Sequence, residues 1–305
     1  MTEAPAPSTA RRSPPTERVV QVLDHLVAHP EARFGLSELA RRLGMSKPTC
    51  LGILTALTDA GYLMRHPADR SYGLGPALIV AGRAAQRGFA VGPVTHRHLA
   101  ALGAEFGATC AASAVVGDRI AVLDVAGPDP AGAGARVGEV YPFAPPVGLM
   151  YVLWDSDERL EQWLAREPTL PVRLDRDRLR DVVDECRAAG YLVESLTAGG
   201  RRLHALMAGV AAHDLPAELR ELLGEMVSSL GERVLLAGAE PDDAEHPVNL
   251  LAAPVHDADG RQSVVLTLHV GATLTNREIA RRGVALVATA EAVTRELGGG
   301  RPPPR

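Results

Sequence analysis

Residues 34–75 read FGLSELARRLGMSKPTCLGILTALTDAGYLMRHPADRSYGLG. Leu36, Leu39, Ala40 and Leu43 recur at i, i+3, i+4 and i+7, which makes one apolar face of a short helix. Gly44 fits the left-handed residue that stops it. Two residues on, Ser46 can accept from the first free amides of a second helix, and Pro48 is tolerated in its first turn. The spacing of that helix predicts Leu51, Leu54 and Leu57 inward and Lys47, Thr49 and Gly52 outward. Two short helices joined by a Gly-containing turn form a helix-turn-helix. Gly61 closes the second helix, and residues 62–65 and 71–74 flank a polar turn as a β-hairpin. Upstream, Thr16 is placed to cap a helix whose apolar face is Val19, Val20, Leu23, Leu26 and Val27, stopped at His29-Pro30. Helix, helix-turn-helix and hairpin together predict a winged helix over residues 16–76.

The basic residues of this segment point to double-stranded DNA. Between residues 16 and 90 there are nine Lys/Arg against six Asp/Glu, whereas residues 91–305 hold 21 against 30. The chain as a whole has net charge −5, so the basic balance is confined to the front. Lys47 is the only lysine in the chain. Arg41, Arg42, Lys47, Arg65 and Arg70 are candidates for phosphate contact, which supplies affinity and register. Base reading falls to the exposed start of the second helix, where Lys47 and Thr49 are the candidates for a base edge or nearby phosphate, and Ser37 and Ser46 are further DNA-binding candidates. The alternative is a winged helix that serves protein interaction, with its cations solvated.

Behind the wing, residues 77–92 read as a linker helix, with Gly88 and Gly92-Pro93 interrupting the pattern. A helix over 94–106 precedes two apolar runs, 109–116 and 119–125, joined by Gly117-Asp118, a hairpin signal. A second pair, 248–256 and 262–270, is joined by Asp257-Ala258-Asp259-Gly260-Arg261. The rest of a calcium loop is missing there, so a turn is expected. Residues 276–297 form a final amphipathic helix. Two hairpins separated by helices predict an α+β domain over 93–298, an antiparallel sheet flanked by helices. Tails at 1–15 and 299–305 read as disordered.

The remaining features exclude several classes. Apolar residues make up 46% and charged residues 23%, ordinary globular usage. No apolar run reaches about 18 residues, so no membrane partner is expected. The first residues lack an apolar signal core, and a cytoplasmic protein is predicted. Cys50, Cys110 and Cys186 fit neither a disulfide framework nor a zinc pattern. Cys50 on the second helix reads as an inert thiol. No G-x-S-x-G elbow, H-E-x-x-H pair or phosphate-binding glycine loop is present. His96 and His98 are two apart on a helix and diverge. Glu38 reads as an ion-pair partner of Arg41 or Arg42, and Trp154 and Trp163 as core. No catalytic residue, metal ligand or cofactor is predicted.

Residues 17–75, ending in Tyr72-x-Leu74-Gly75, resemble the winged helix of IclR-type bacterial transcriptional regulators. "NLLAAPVHDADGRQSVVLTLHVGATLT" (249–275) and, more loosely, "VGEVYPFAPPVG" (137–148) resemble their GAF-like effector domain. The resemblance implies a DNA-binding regulator that is a homodimer or dimer of dimers, with the linker helix at the dimer contact. It also implies a small-molecule effector held near Val147, Gly148, Leu250, Thr267 and His269. Three departures stand out. Gly52 replaces an arginine frequent in the recognition helix. Pro145 and Pro146 remove amide donors from the ligand loop. A helical insertion near 197–247, including 216–236, follows the Gly190-Tyr191…Glu194 element. The departures favour a more apolar effector, or a ligand-free assembly module with a weakly DNA-binding winged helix. For Thr267 and His269 the alternative is a pair of satisfied core polar groups.

Overall fold

The computed structural model describes residues 14–88, 91–129, 136–169, 174–195, 233–236 and 240–300. Close backbone neighbours divide the chain into two compact units, Met1–Gly88 and Phe89–Arg305.

The first unit contains α1 (Pro14–Val27), α2 (Leu36–Arg42), α3 (Lys47–Asp59), a hairpin of β1 (Leu63–Arg65) and β2 (Tyr72–Leu74), and α4 (Ala77–Gly88). Gly44 adopts φ +61°, and the Met45 amide donates back to Ala40 O at 2.8 Å, so α2 ends in the expected left-handed stop. Ser46 caps α3 by accepting from Thr49 N, with Pro48 in the first turn. Phe34 bridges Tyr72 and adds a third extended segment beside the wing. The core is Val22, Leu26, Phe34, Leu39, Ala40, Met45, Cys50, Leu54, Leu63 and Tyr72.

Several local expectations shift. α1 starts at Pro14, so Thr16 lies inside the helix rather than at its cap. Two prolines suit a first turn, where their missing N–H groups have no helical partner anyway. α1 buries Val22 and Leu26, while Val20 and Val27 are about half exposed, at 51% and 50%. α3 turns Cys50 and Leu54 inward and leaves Leu51 out. In both helices the apolar residues outnumber those that one face can bury, and packing selects among them, of α1 against β2 and of α3 against α2 and β1. α4 ends at Gly88, and Gly92-Pro93 do not break a helix: they lie in the first turn of the next one.

The second unit begins with α5 (Val91–Phe106). Then come β3 (Thr109–Val116), β4 (Arg119–Ala126), β5 (Val140–Pro142), a 3-10 turn (Leu149–Tyr151), α6 (Asp157–Leu164), α7 (Arg176–Ala189), β6 (Leu192–Glu194), β7 (Glu245–His256), β8 (Gln262–Thr275) and α8 (Asn276–Glu296). The strands form one antiparallel sheet in the order β5-β4-β3-β8-β7-β6. Gly117 (φ +66°) turns β3 into β4. Asp257 Oδ1 accepts from the amides of Asp259 and Arg261, so the Asp-x-Asp-Gly segment is a turn between β7 and β8. One sheet face packs on α5 and α8 through Leu99, Leu251, Leu266, Leu286 and Val293. The other packs on the 3-10 turn, α6 and α7 through Phe143, Leu153, Trp163, Val182 and Val265.

β7 and β8 outrun the expected hairpin because they pair from His256↔Gln262 to Glu245↔Thr275, with register shifts at Val255/His256 and Val248/Leu250. The insertion is only partly described, and its stretch 216–232 lies outside the described residues, as do 1–13 and 301–305. Residues 233–236 do not continue a helix. Val234 bridges Glu194 antiparallel, the Ser195 amide donates to Arg233 O, and Arg178 Nη2 donates to Val234 O at 2.8 Å. This segment satisfies the outer edge of β6. Gly299 and Gly300, expected in a disordered tail, pack on the β7–β8 turn, with Gly300 N donating to Asp257 O at 3.0 Å. A Cβ on Gly299 would meet His256 O at 2.1 Å, so only glycine fits there.

Candidate nucleic-acid and effector sites

The helix-turn-helix presents α3 by its first turn. Lys47 is its first residue and is exposed. Ser46 Oγ bonds Thr49 Oγ1 at 2.8 Å as well as accepting the Thr49 amide, so both hydroxyls sit in the cap. Beyond Lys47, the exposed residues of α3 are Pro48, Leu51, Gly52, Thr55, Ala56 and Asp59. At about 100° per residue they form one stripe opposite Cys50 and Leu54. A Cβ added to Gly52 would meet nothing within 4 Å. Burial lifts the Cys50 thiol above its ordinary pKa, which keeps it protonated, in line with an inert thiol.

The other cations differ in freedom. Ser37 and Arg41 are exposed on α2. Arg42 is exposed too, but its guanidinium is held by Glu38 at 2.9 Å and lies over the Phe34 ring. Arg65 ends β1 and lies over the Tyr72 ring, 5.8 Å from its centroid. Arg70, at the wing tip, has φ +58°, unusual for a residue with a Cβ. Asp69 holds this turn by accepting from both Ser71 N and Ser71 Oγ. Those bonds pull the Asp69 carboxyl below the usual range, so it stays ionised.

In the second unit, Leu250, Thr267 and His269 are neighbours on the sheet face under the 3-10 turn. Leu250 pairs with His269 and Ala252 with Thr267 across β7–β8. Thr267 Oγ1 donates to Ala111 O at 3.4 Å and lies 3.2 Å from His269 Nε2. Val147 and Gly148 sit further along the same face, toward β4. Val147 N donates to Ala144 O, and a Cβ on Gly148 (φ +112°) would lie 2.8 Å from Phe143 Cδ2. Ser113 on β3 and Tyr151 in the 3-10 turn form a pair on the same face that the sequence reading missed. Ser113 Oγ and Tyr151 Oη are 2.6 Å apart. Burial pushes the Tyr151 phenol up to about 12, against the pull of the Ser113 bond, so it stays protonated. The available signal was period-two alternation, which puts Ser113 on the same face as Ala111. Nothing in it names Tyr151, 38 residues away.

Ser113 is buried, and Tyr151→Phe deprives it of its partner. We expect a loss of about 1 kcal/mol or more. Ser113→Ala with Tyr151→Phe should cost less than the sum of the singles, because the two changes share one bond. Urea unfolding followed by tryptophan fluorescence measures this, and additive losses would mean that the bond contributes nothing.

Among the described residues no group of three or more His, Cys, Asp or Glu could hold a metal ion. His96 faces Asp124 and His98 faces Glu296, so the two imidazoles diverge as expected. Trp163 is core, and Trp154 donates from Nε1 to Cys186 O. No helix among the described residues is long and apolar enough to cross a membrane.

Residues 15–67 match the family model for the IclR helix-turn-helix domain. A glycerol operon regulatory protein of Streptomyces griseus is 40% identical over 73 residues, which is 24% of this chain and 28% of that protein. An HTH-type transcriptional regulator of Mycobacterium tuberculosis is 31% identical over 248 residues, 74% of this chain and 90% of the relative. Among solved structures, an IclR transcriptional regulator from Alicyclobacillus acidocaldarius has the same fold, with TM-score 0.62 at 22% identity over 94% of this chain and 100% of that one. An IclR homologue from Microbacterium hydrocarbonoxydans, complexed with 4-hydroxybenzoate, superposes with TM-score 0.55 at 17% identity, covering 93% and 98% of the two chains. The family model accounts for the helix-turn-helix alone, whereas the M. tuberculosis relative is matched over nearly its whole length. On that extent of likeness, the chain belongs to the IclR family of transcriptional regulators: DNA-binding proteins with an N-terminal helix-turn-helix and a C-terminal effector domain.

Proposed function

We propose that two copies of this chain, alone or as a dimer of dimers, bind a pseudo-palindromic operator with α3 of each winged helix in the major groove. In this reading Lys47 contacts a base edge or nearby phosphate at the start of α3. Arg65 and Arg70 grip the backbone beside the wing, and Ser37 and Arg41 contact the strand in front of α2. The observation that carries the reading is the capped, outward-facing start of α3 with Lys47 on its first turn. Exposed Ile79 (61%) and Val80 (68%) on α4 support a second copy there, since large apolar side chains side by side are costly in water. The effector face of the second unit takes a small, largely apolar molecule with one or two polar groups. Thr267, His269, Ser113 and Tyr151 supply its hydrogen bonds, and Val147, Gly148 and Leu250 its apolar wall. Its binding biases one arrangement of the two winged helices by its difference in affinity for the two states.

A second reading rests on the same face. Thr267 is already bonded to Ala111 O and His269, and Ser113 to Tyr151, as in a closed core. In this reading the domain is an assembly module without an effector.

One experiment separates them. The purified chain is titrated with DNA from upstream of its own gene across a salt series, beside Lys47→Ala, and its melting is followed with 4-hydroxybenzoate and related aromatic acids. Selective binding that weakens with salt and in the variant supports the operator reading. A ligand present at 100 times its Kd raises stability by about 2.7 kcal/mol. Melting unmoved by any of the acids favours the assembly module, and equal affinity for random DNA overturns the operator reading.

A further inference from the structure

The outward stripe of α3 is chemically unusual for a helix that enters the major groove. Pro48, Leu51, Gly52, Thr55, Ala56 and Asp59 are its exposed residues. None is an arginine, asparagine or glutamine. Guanine is read bidentately by arginine or lysine through N7 and O6, and adenine by asparagine or glutamine through N7 and N6. Apart from Lys47 at its beginning, the stripe therefore lacks every side chain that makes those pairs. What it presents instead is hydrocarbon: the Pro48 ring, the Leu51 side chain at 45% exposure, the Thr55 methyl and the Ala56 methyl.

Gly52 stands in the middle of this surface. No atom lies within 4 Å of the position that its Cβ would occupy, so the helix interior does not require glycine there. Glycine in a helix costs up to about 1 kcal/mol relative to alanine. Its effect is on the outside, where it strips the helix to backbone and lets the groove floor approach. Asp59 ends the stripe with an acceptor-only carboxylate, which is repelled by the acceptor edge of guanine and can pair only with a donor such as cytosine N4–H2.

In the major groove, thymine alone among the four bases offers an apolar group, its C5-methyl. We propose that α3 reads its operator chiefly through thymine methyl groups, which seat on Pro48, Leu51, Thr55 and Ala56 around the bare backbone of Gly52. The inference rests on α3 being the recognition helix, as argued above. The occupant follows from the surroundings: exposed Arg41, Lys47, Arg65 and Arg70 belong to the same small unit and favour a polyanion over an apolar protein surface.

The test uses the full chain. Sequences are selected from a random duplex library, and the winning duplex is remade with deoxyuridine replacing one thymine at a time, which removes only the C5-methyl. We expect half-sites with runs of thymine and few guanines. Affinity should fall about four-fold per methyl at two or more neighbouring positions, the order expected for burying one methyl-sized group. Leu51→Ala, a change at an exposed position, should abolish the sensitivity at one of those positions and leave the salt dependence unchanged. Guanine-rich half-sites, or selected half-sites indifferent to deoxyuridine, overturn the proposal while leaving α3 as the recognition helix. Deoxyuridine sensitivity that is unaltered in Leu51→Ala assigns the methyl contacts to another element and also overturns it. Failure to select any sequence overturns the recognition-helix reading itself, and the proposal with it.

Discussion

Gly75→Ala is expected to destabilise the winged helix strongly and to weaken DNA binding with it. A Cβ at this position would lie 2.3 Å from Gly61 O, 2.8 Å from Tyr62 C and 2.9 Å from Leu63 C. All three are backbone atoms, so no side chain can swing aside. The approach is fixed from both ends: Gly75 N donates to Tyr62 O at 2.8 Å and Ala77 N to Gly61 O at 3.1 Å. These bonds stitch the end of β2 to the turn after α3, and the added methyl must break them. Overpacking against rigid neighbours costs about 3 kcal/mol and occasionally more. In a domain of this size that lowers the melting temperature by about 12 °C or more. The two tryptophans, Trp154 and Trp163, both lie in the second unit. The check is therefore internal. Helical circular dichroism should show an early partial loss, while the tryptophan-fluorescence transition stays where it was. Gly52→Ala is the control of opposite sign, since its methyl meets nothing and helix propensity improves. Equal melting of Gly75→Ala and the parent would refute the stitch.

The second large effect concerns the cations that no carboxylate holds among the described residues. Lys47, Arg65 and Arg70 changed together to alanine should weaken operator binding by about three orders of magnitude at low salt, on the order of 1.5 kcal/mol for each charge-assisted contact. The more diagnostic readout is the plot of log affinity against log salt. Each phosphate contact contributes about 0.9 to its slope, so the triple variant should be shallower by about 2.7 per winged helix. Arg42→Ala is the comparison. Its guanidinium is already engaged by Glu38 and stacked on Phe34, so its removal should shift the slope far less than any of the three. If Arg42→Ala flattens the slope as much as Arg70→Ala does, the division into ion-paired and unpaired cations is wrong.

The features legible in the sequence were those made by residues a few positions apart. The Ser46 cap, the left-handed Gly44 and the turns at Gly117-Asp118 and 257–261 each follow from hydrogen bonds and backbone angles within about five residues. The resulting order of helices and hairpins carried the winged helix and the antiparallel sheet. The family resemblance drew on the same local motifs, with the position of Thr267 and His269 on one strand face following from period-two alternation.

Tertiary structure decided whatever depended on a distant neighbour. Val22 rather than Val20 became core because α1 packs on β2, and Cys50 rather than Leu51 because α3 packs on α2 and β1. Residues 233–236 became extended because β6 offers an unpaired edge and Arg178 an anchor for Val234. Ser113 met Tyr151 across 38 residues, and Arg42 came to lie over Phe34. A periodic pattern lists the side chains able to face inward, whereas burial is shared out only when another element arrives. By itself the sequence determined which elements form and where they turn; the packing of those elements alone decided which side chains they leave facing a ligand or DNA.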